Sequence, residues 1–402
     1  MRPIRDTIPI EDALKLARDA ATPLNRTEHI GLDDGAGRVL ATTVVATRDV
    51  PPFNRAAMDG YAVVAESTFG ASRMDPRLLE CVETVHTGAV PSKSLGPGQC
   101  TQIATGAPMP DGADAVVMVE ETDRRDRNEV AVFVPVYPRQ HVGRQGADIT
   151  SGSELLHPGD LLTPGRVGSI AALGIDKLEV YARPRVAILS TGNEIAAPGQ
   201  PLGPGQIYDI NRFTLGAVIR EHGGVPVAFP TAPDNLDDLS ATVNKCLNND
   251  ILVFSGGSSV GERDLTLDVI RQKGEVLFHG IAVKPGKPTA FGTIDGTPVL
   301  GMPGYPTSCL SNAYMLLVPV LRRLARLPVY RFRSTSVPTA ARIVSTTGRH
   351  QFYTVRVVAG EAVPAFKASG DITSMSQADG YIEIPAQTDI VEQGEIVEVK
   401  LF

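Results

Sequence analysis

In the second half of the chain, segments with two different patterns of apolar and polar positions follow one another in turn. Continuous apolar runs, such as Val186 to Leu189, are separated by stretches in which apolar residues recur every three or four positions. The first pattern is typical of buried strands and the second of helices. Their alternation predicts a doubly wound α/β domain with parallel strands. The predicted strands are 185–190, 225–229, 251–254 and 299–301, and the predicted helices are 212–221, 236–247, 265–272 and 308–326.

The flanking regions follow other patterns. Residues 6–21 carry apolar side chains at helical spacing, which predicts an amphipathic helix, whereas short β-like runs follow up to about residue 140 and return beyond Pro328. The predicted fold class is α/β plus β, in an elongated multi-domain chain with a C-terminal β-barrel or sandwich. The predicted domains are an N-terminal helical or mixed domain (1–45 and 141–182), an inserted β-rich domain (46–140), an α/β domain (183–327) and a C-terminal β-domain (328–402).

Size and charge narrow the function classes. The chain has 402 residues, too many for one compact core, and a formal net charge of −7, which disfavours binding to nucleic acid or to an anionic membrane. The longest apolar stretch, 313–321, is too short to span a bilayer. The sequence therefore predicts a cytoplasmic protein with small-molecule ligands. The four cysteines have no metal-type spacing and are predicted to be reduced thiols.

Three glycine-containing loops follow the carboxyl ends of predicted strands. They are Ser190–Glu194, Ser255–Asp264 and Met302–Thr307. In open α/β sheets, ligands bind beyond the carboxyl ends of the strands. One such loop alone is typical of an ordinary strand-to-helix turn, but three in one domain predict a binding site at that rim. None of them matches the phosphate loop of nucleoside triphosphatases or the dinucleotide-binding fingerprint.

Two lysines, Lys284 and Lys287, lie on a turn that Pro285, Gly286 and Pro288 stiffen. Strand-like runs flank this turn, so the lysines do not belong to a flexible exposed tail. Ammonium groups close to bare backbone N–H groups can hold an oxyanion. The turn therefore predicts an anion-binding site.

Several predicted loops also carry carboxylates. Oxygen ligands on rigid turns suit Mg²⁺, which binds through one or two carboxylates and the phosphate oxygens of a substrate. Most loop aspartates are caps or turn formers, and for Asp59 an Asx-type turn is the leading explanation on physical grounds alone. The histidines form no zinc motif. The other candidate carboxylates are Asp148, Glu194, Asp234 and Asp264.

Taken together and in order, these motifs resemble the molybdopterin molybdenumtransferase family over nearly the whole chain. The matching segments are Pro51–Phe53, Met58–Ala62, Thr105–Pro110, Gly112–Val116, Ser190–Glu194, Ser255–Gly257, Lys284–Pro288 and Pro303–Gly304.

The resemblance implies a reaction and an assembly. Molybdenum would pass from molybdate to adenylylated molybdopterin with release of AMP, assisted by Mg²⁺, as the last step of molybdenum cofactor synthesis. Residues 183–327 would form the molybdopterin-binding domain. The site would lie between this domain of one subunit and the β-rich domain of the other in a homodimer. The molybdopterin adenylyltransferase is implied as a candidate partner.

The resemblance also assigns roles by motif position. Catalytic roles fall on Asp59, Asp148, Glu194 and Asp264. Metal binding falls on Glu194, Asp234 and Asp264. Substrate binding falls on Thr105, Thr191, Gly192, Ser255, Gly256, Gly257, Lys284, Lys287 and Pro303, with the two lysines facing the oxyanion.

The chain departs from the family pattern at some of these loops. Ala56, Ala147, Ser258 and Tyr305 stand where family sequences usually carry Ser, Glu, Val and Asn. The ring of Tyr305 is expected to narrow or reshape the rim. Two alternatives to the enzyme remain open: a paralogue that binds molybdopterin or the finished cofactor for delivery or sensing, and a scaffold that docks partner enzymes through its C-terminal β-domain.

Overall fold

The chain divides into two compact units. The computed structural model describes residues 6–232, 235–256 and 265–402. The first unit comprises Met1–Glu28, Gly37–Val39 and Val180–Phe402, and the second comprises His29–Ala36 and Leu40–Glu179. The strands Thr27–Gly31 and Lys177–Tyr181 each contain a boundary between the units.

A six-stranded sheet forms the centre of the first unit. In spatial order its strands are Val225–Ala228, Arg185–Ser190, Ile251–Ser255, Thr297–Met302, Ala290–Ile294 and Glu275–His279. The four strands from Val225–Ala228 to Thr297–Met302 are parallel, as the alternating pattern predicts. The fold is thus mixed α/β.

Both faces of this sheet are buried, which explains the continuous apolar runs in the sequence. Val186 and Ile188 belong to a core that includes the N-terminal helix and the long helical segment after residue 305. Ala187 and Leu189, which point the opposite way, belong to a second core with two other helices. The helices of this unit are Ile10–Asp19, Asn211–Glu221, Leu236–Cys246, Leu265–Lys273, Pro306–Asn312, Val318–Leu324 and Thr373–Ser376.

Two strands of the sheet depart from the purely parallel prediction. Ala290–Ile294 and Glu275–His279 run antiparallel to their neighbours. The reversal occurs at Asp295 and Gly296, which both have positive φ and connect two paired strands directly. A two-residue hairpin of Asp-Gly favours this geometry. This dipeptide is therefore a sequence signal for the antiparallel hairpin, which the alternation of helices and strands does not predict.

The predicted helix 308–326 begins earlier and changes its winding. It consists of Pro306–Asn312, a π-helical stretch Ala313–Leu317 and Val318–Leu324. Arg323 and Arg326 at its end donate hydrogen bonds to the backbone carbonyls of Ala21 and Leu24. These arginines thus attach the segment that follows the N-terminal helix.

A second sheet fills the C-terminal part of the first unit. In order its strands are Val283–Lys284, His350–Val358, Gly380–Ile384, Ile396–Leu401 and Ser334–Pro338, and Glu361–Pro364 pairs with His350–Val358. The short strand that carries Lys284 therefore belongs to this sheet. The remaining pairs are Ile195–Ala196 with Ile207–Tyr208 and Ile343–Val344 with Ile390–Val391.

The second unit is built around its own six-stranded sheet. In order the strands are Ala115–Met118, Gly60–Val63, Gln99–Ile103, Arg77–Val85, Glu129–Val132 and Thr122–Arg124. Two small antiparallel pairs, Arg55–Ala56 with Val142–Gly143 and Val44–Val45 with Glu154–Leu156, accompany it. The unit also contains the helix Pro164–Ala172 and the 3-10 turns Leu32–Asp34, Ala65–Thr68 and Val119–Glu121.

All four cysteines are buried and free of disulfide bonds. Burial raises the pKa of the Cys246 thiol to about 12 and also raises the pKa values of Cys100 and Cys309. Within the described ranges, no helix combines the length and the apolar character needed to cross a bilayer.

Candidate functional site

The carboxyl ends of three central strands bring several predicted site residues together. Ser190 lies beside Ser255, and Ser255 lies beside Met302, in the register of the parallel sheet. The next residues along each strand are therefore neighbours as well. Thr191, Gly256 and Pro303 occupy those positions, as the loop pattern predicts.

Thr191 and Gly256 approach each other closely at this rim. The N–H of Thr191 donates to the carbonyl of Ser255 at 3.0 Å, and a Cβ on Gly256 would lie only 2.7 Å from the Thr191 carbonyl oxygen. Gly256 also has a φ of +98°, so both space and conformation require glycine there. The Thr191 hydroxyl is buried and has no hydrogen-bond partner among the described residues.

Gly192 and Glu194 form the outer part of the first loop. Gly192 has a φ of +129°, and a Cβ there would lie 2.6 Å from a carboxylate oxygen of Glu194. The exposed Glu194 carboxylate thus folds back over bare backbone. The backbone of Glu194 is held by its carbonyl, which accepts the N–H of Ile207 at 2.9 Å.

Two polar residues that the sequence analysis missed, Asp209 and Asn211, lie beneath the rim. The hydroxyl of Ser190 donates to the buried Asp209 carboxylate at 2.6 Å. The side-chain amide of Asn211 donates to the carbonyl of Gly304 at 2.8 Å. Asp209 also accepts the N–H of Arg212 at the start of a helix, so in sequence it has the signature of an ordinary helix cap.

Cys309, on the helix that follows the third loop, lies close to Asp209 and Ser255. Its thiol is fully buried, and burial, reinforced by the negative charge of Asp209, raises its pKa. Ser255 contacts the thiol and acts in the opposite direction. The thiol is therefore protonated near neutral pH and serves as a packing group, not as a nucleophile.

The lysine turn is fastened from both sides. Lys284 pairs with Gln351 in the C-terminal sheet, and its ammonium group donates to the hydroxyl of Thr346 at 2.6 Å. On the other side, the amide of Asn312 donates to the carbonyl of Gly286 at 2.9 Å and to the hydroxyl of Thr289 at 2.6 Å. Gly286 is required because a Cβ would collide with Asn312 at 2.4 Å.

Asn312 also relates this turn to the sheet rim. It ends the helix Pro306–Asn312, which begins immediately after the third rim loop. A helix of this length spans about 10 Å. Lys287 lies on the turn that Asn312 holds, and its carbonyl accepts the N–H groups of Ile281 and Thr289. The sequence did not single out Asn312, whose position inside an apolar helix resembles simple packing.

In the second unit, Asp59 and Thr105 form a direct pair. The Asp59 carboxylate accepts the backbone N–H of Thr105 at 2.6 Å and its hydroxyl at 2.9 Å. These hydrogen bonds, the backbone one first, lower the pKa of Asp59. Gly60 permits the turn, because a Cβ there would lie 1.9 Å from the carbonyl oxygen of Val117. Two segments whose paired residues lie 46 positions apart in the sequence therefore form one exposed anionic turn.

Asp148 lies on an exposed loop of the same unit, and its N–H donates to the carbonyl of Val50. Asp49, which no motif in the sequence marks, fastens this loop. Its carboxylate accepts the N–H of Ser151 and the side-chain amide of Gln145, both at 2.8 Å. Both hydrogen bonds lower the pKa of Asp49, and the one from the Ser151 N–H has the larger effect.

Only some of the predicted metal ligands lie among the described residues. Asp234 and Asp264, together with Gly257 and Ser258, lie outside the described residues. Within the part of the chain that the structure describes, no group of three His, Cys, Asp or Glu side chains could hold a metal ion. Glu194 is thus the one predicted metal ligand whose position can be stated.

The family departures have different surroundings. Tyr305 is 66% exposed and caps the start of the helix Pro306–Asn312, where its carbonyl accepts the N–H of Cys309. Ala56 is buried, and its backbone pairs with Gly106 and Ala107. Ala147 is exposed on the Asp148 loop.

Models of known families match most of the chain. The MoeA N-terminal region (domain I and II) matches residues 8–174, the model described as "Probable molybdopterin binding domain" matches residues 187–323, and the MoeA C-terminal region (domain IV) matches residues 336–402.

Individual relatives extend over nearly the full length. The chain is 35% identical over 397 residues to molybdopterin molybdenumtransferase 2 of Mycobacterium tuberculosis, covering 95% of this chain and 94% of the relative. It is 31% identical over 414 residues to the molybdopterin molybdenumtransferase of Bacillus subtilis, covering 99% and 95%.

Solved structures give the same result. One crystal structure of a molybdopterin biosynthesis MoeA protein from Pyrococcus horikoshii aligns with a TM-score of 0.84 at 41% identity, covering 98% of this chain and 99% of that chain. A second from the same organism aligns with a TM-score of 0.83 at 31% identity, covering 99% and 100%. The chain belongs to the MoeA family of molybdopterin molybdenumtransferases.

Proposed function

We propose that this protein is a transferase that inserts molybdenum from molybdate into adenylylated molybdopterin and releases AMP. A role in molybdenum cofactor biosynthesis follows from its family. The observation that carries the specific reaction is the rim around Thr191. A buried hydroxyl without a partner among the described residues lies there beside backbone that only glycine can provide, at Gly192 and Gly256. Such bare backbone and an available hydroxyl suit a phosphate-bearing ligand.

The lysine turn supplies the complementary charge. Lys284 and Lys287 are held on a rigid turn by Asn312 and by the C-terminal sheet. Charge-assisted hydrogen bonds to an oxyanion are stronger than neutral ones. We assign these ammonium groups to molybdate, which would then be positioned against the dithiolene sulfurs of molybdopterin.

A magnesium ion fits the donors that the described rim offers. The exposed Glu194 carboxylate is a hard oxygen ligand held over the Gly192 backbone, and Mg²⁺ needs one or two carboxylates in addition to substrate phosphate oxygens. Glu194, with Asp234 and Asp264, would hold the ion. When bound, Mg²⁺ would supply polarisation of the phosphoanhydride. The described residues bind and orient the two substrates around it.

Asp59 and Asp148 are the carboxylates of the second unit to which we assign catalytic roles. Because hydrogen bonds from Thr105 lower its pKa, Asp59 stays anionic well into the acidic range and can orient donor groups of the pterin. We further propose a homodimer in which Asp59 and Asp148 serve the site of the partner subunit, with the molybdopterin adenylyltransferase as the protein that delivers the substrate in the cytoplasm.

One observation favours a second candidate function. The exposed ring of Tyr305 at the third rim loop replaces a small polar residue of the family pattern. A ring there could reduce turnover, and the protein would then bind molybdopterin or the finished cofactor for delivery or sensing.

A single assay separates the two functions. The protein is incubated with adenylylated molybdopterin, molybdate and Mg²⁺, and AMP is measured, with reactions lacking molybdate or Mg²⁺ as controls. The transferase releases AMP only in the complete mixture. Retention of pterin without AMP release contradicts the transferase and supports the binding protein. In that case Tyr305→Asn is expected to restore release.

A further inference from the structure

A basic cavity lies at the edge of the central sheet opposite the proposed active site. It has a volume of about 400 Å³, within the range of small-ligand pockets. Arg185 and Val225 on its wall are the first residues of their strands, so the cavity lies at the amino ends. The rim around Thr191 lies at the carboxyl ends. All residues that line the cavity belong to the first unit: Arg26, Glu28, Arg38, Ala182, Arg183, Arg185 and Val225.

One wall of the cavity is held by Asp250. The guanidinium of Arg26 binds both carboxylate oxygens of Asp250, at 3.1 and 2.9 Å, and the backbone N–H of Arg185 donates to the same carboxylate at 2.7 Å. The hydrogen bond to Asp250 is the main cause of a raised pKa for Arg26. The guanidinium of Arg26 is therefore oriented before any ligand arrives, which reduces the entropy lost on binding. At Arg185, Asp250 holds the backbone.

Glu28 makes a second ion pair in the lining of the cavity. Arg38 is only 6% exposed, and its guanidinium donates to the Glu28 carboxylate and to the carbonyl of Tyr181. Arg183 and Arg185 take part in none of the ion pairs among the described residues, and the Arg185 guanidinium donates to the neutral amide oxygen of Asn249 at 3.4 Å. Four guanidiniums thus face two carboxylates, Glu28 and Asp250, which leaves two positive charges on a protein whose net charge is −7.

We propose that this cavity binds a small phosphate dianion, either free phosphate or the phosphate group of an ester. Two unneutralised guanidiniums match the charge of a dianion, and the planar donor fork of arginine matches the geometry of phosphate oxygens. The apolar lining is limited to Ala182 and Val225, so a ligand with a large apolar body does not fit. The site is separate from the transferase site and can be tested without it.

The experiment is calorimetric titration of the full-length protein with inorganic phosphate, at an ionic strength held constant with chloride. The wild-type protein should bind one phosphate per chain in the cavity. Arg183→Gln combined with Arg185→Gln should weaken that binding at least tenfold. Since both side chains are exposed, the variant should remain folded, and its unfolding temperature verifies this.

Two control variants make the result specific. Arg331→Gln with Arg333→Gln removes the same charge from exposed positions outside the cavity and should leave phosphate binding unchanged. Lys284→Ala with Lys287→Ala damages the proposed molybdate site and should also leave phosphate binding in the cavity unchanged. The proposal is overturned if wild-type binding is absent, if the Arg331 and Arg333 variant loses as much affinity as the cavity variant, or if the lysine variant alone abolishes binding. Glycerol 3-phosphate distinguishes the ligand: tighter binding than phosphate supports an ester, and weaker binding supports the free anion.

Discussion

Both hydrogen bonds that Thr105 donates to Asp59 end on the same carboxylate oxygen, Oδ1. The second oxygen, Oδ2, has no hydrogen-bond partner among the described residues. The pair therefore fixes the orientation of the carboxylate and keeps it charged while leaving one oxygen free. In the proposed site, this free oxygen would be available to a ligand.

Changes at this pair should separate charge from position. We expect Asp59→Asn to reduce AMP release by roughly tenfold to a hundredfold, the loss typical of a charged hydrogen-bonding partner. Thr105→Val removes only the hydroxyl, retains the backbone N–H and should have a smaller effect. Because it removes one of the groups that lower the pKa of Asp59, it should also shift the acid limb of the pH–rate profile to higher pH. An unchanged acid limb would contradict the assignment of that limb to Asp59.

Loss of the turn lysines should act on molybdate. Lys284→Ala and Lys287→Ala should each raise the KM for molybdate roughly tenfold to a hundredfold, since a charge-assisted contact contributes about 1.5–3 kcal/mol. Steady-state AMP release at varied molybdate concentration measures this change. Lys245→Ala, in the last turn of the helix Leu236–Cys246, is the matched control and should change nothing. A rise confined to the KM for the adenylylated substrate would place the lysines on its phosphates.

Gly256→Ala tests the close approach at the rim. Gly199 provides the control, because its φ of +90° is similar to the +98° of Gly256 but a Cβ there meets nothing within 4 Å. Gly199→Ala should cost about 1–2 kcal/mol of unfolding free energy through backbone strain alone. Gly256→Ala should cost more and should abolish AMP release, since the Cβ collides with the Thr191 carbonyl. Equal losses from the two variants in denaturant titrations would show that the contact is unimportant.

The sequence predicted the residues at the rim of the sheet better than the polar residues that hold the rim loops and the lysine turn. Alternating apolar runs located the parallel strands, and glycine loops at their ends located Thr191, Ser255 and Gly256, because strand direction alone brings those ends together. Asp209 and Asn312 escaped prediction, since their partners Ser190 and Gly286 are distant in sequence and each residue looks like a cap or a packing group on its own helix. Long-range hydrogen bonds of this kind leave no local pattern.

His222 should make stability depend on pH. Its ring is buried against Tyr314 and Tyr330, and neither ring nitrogen has a hydrogen-bond partner in the described part of the chain. Burial, with the nearby charge of Arg322 as a lesser cause, lowers its pKa from 6.5 to about 4. The unfolded chain therefore binds a proton more readily than the folded chain between these values.

Stability contributed by neutral His222 is fully present above pH 6.5 and is lost as the pH falls towards 4, by up to about 3 kcal/mol. Urea titrations between pH 7 and pH 4.5 measure the loss. His222→Phe retains a ring of similar shape without a titrating group, so its stability should fall less over the same range. A parallel decline in both proteins would assign the pH dependence to other groups.

Mixed dimers test the proposed assembly. If Asp59 serves the site of the partner subunit, combining Asp59→Asn chains with Glu194→Gln chains gives heterodimers with one intact and one doubly damaged site. With random exchange, about half of the dimers are mixed, and about a quarter of the wild-type AMP release should return. Native mass measurement of tagged subunits verifies the exchange. No recovery after verified exchange would place both residues in the site of one subunit.

The short strand Val283–Lys284 joins the C-terminal sheet beside His350 and Gln351, and the ammonium group of Lys284 is bonded to Thr346. Thr307 at the third rim loop likewise donates to the carbonyls of Ser369 and Asp371 through its N–H and its hydroxyl. The C-terminal region therefore helps to hold Lys284 and Thr307 in place. A shortened chain ending near residue 328 would retain every rim motif in its sequence and still lose the anchors of Lys284 and Thr307, so an exchange of C-terminal regions between relatives would have to carry the matching positions with it.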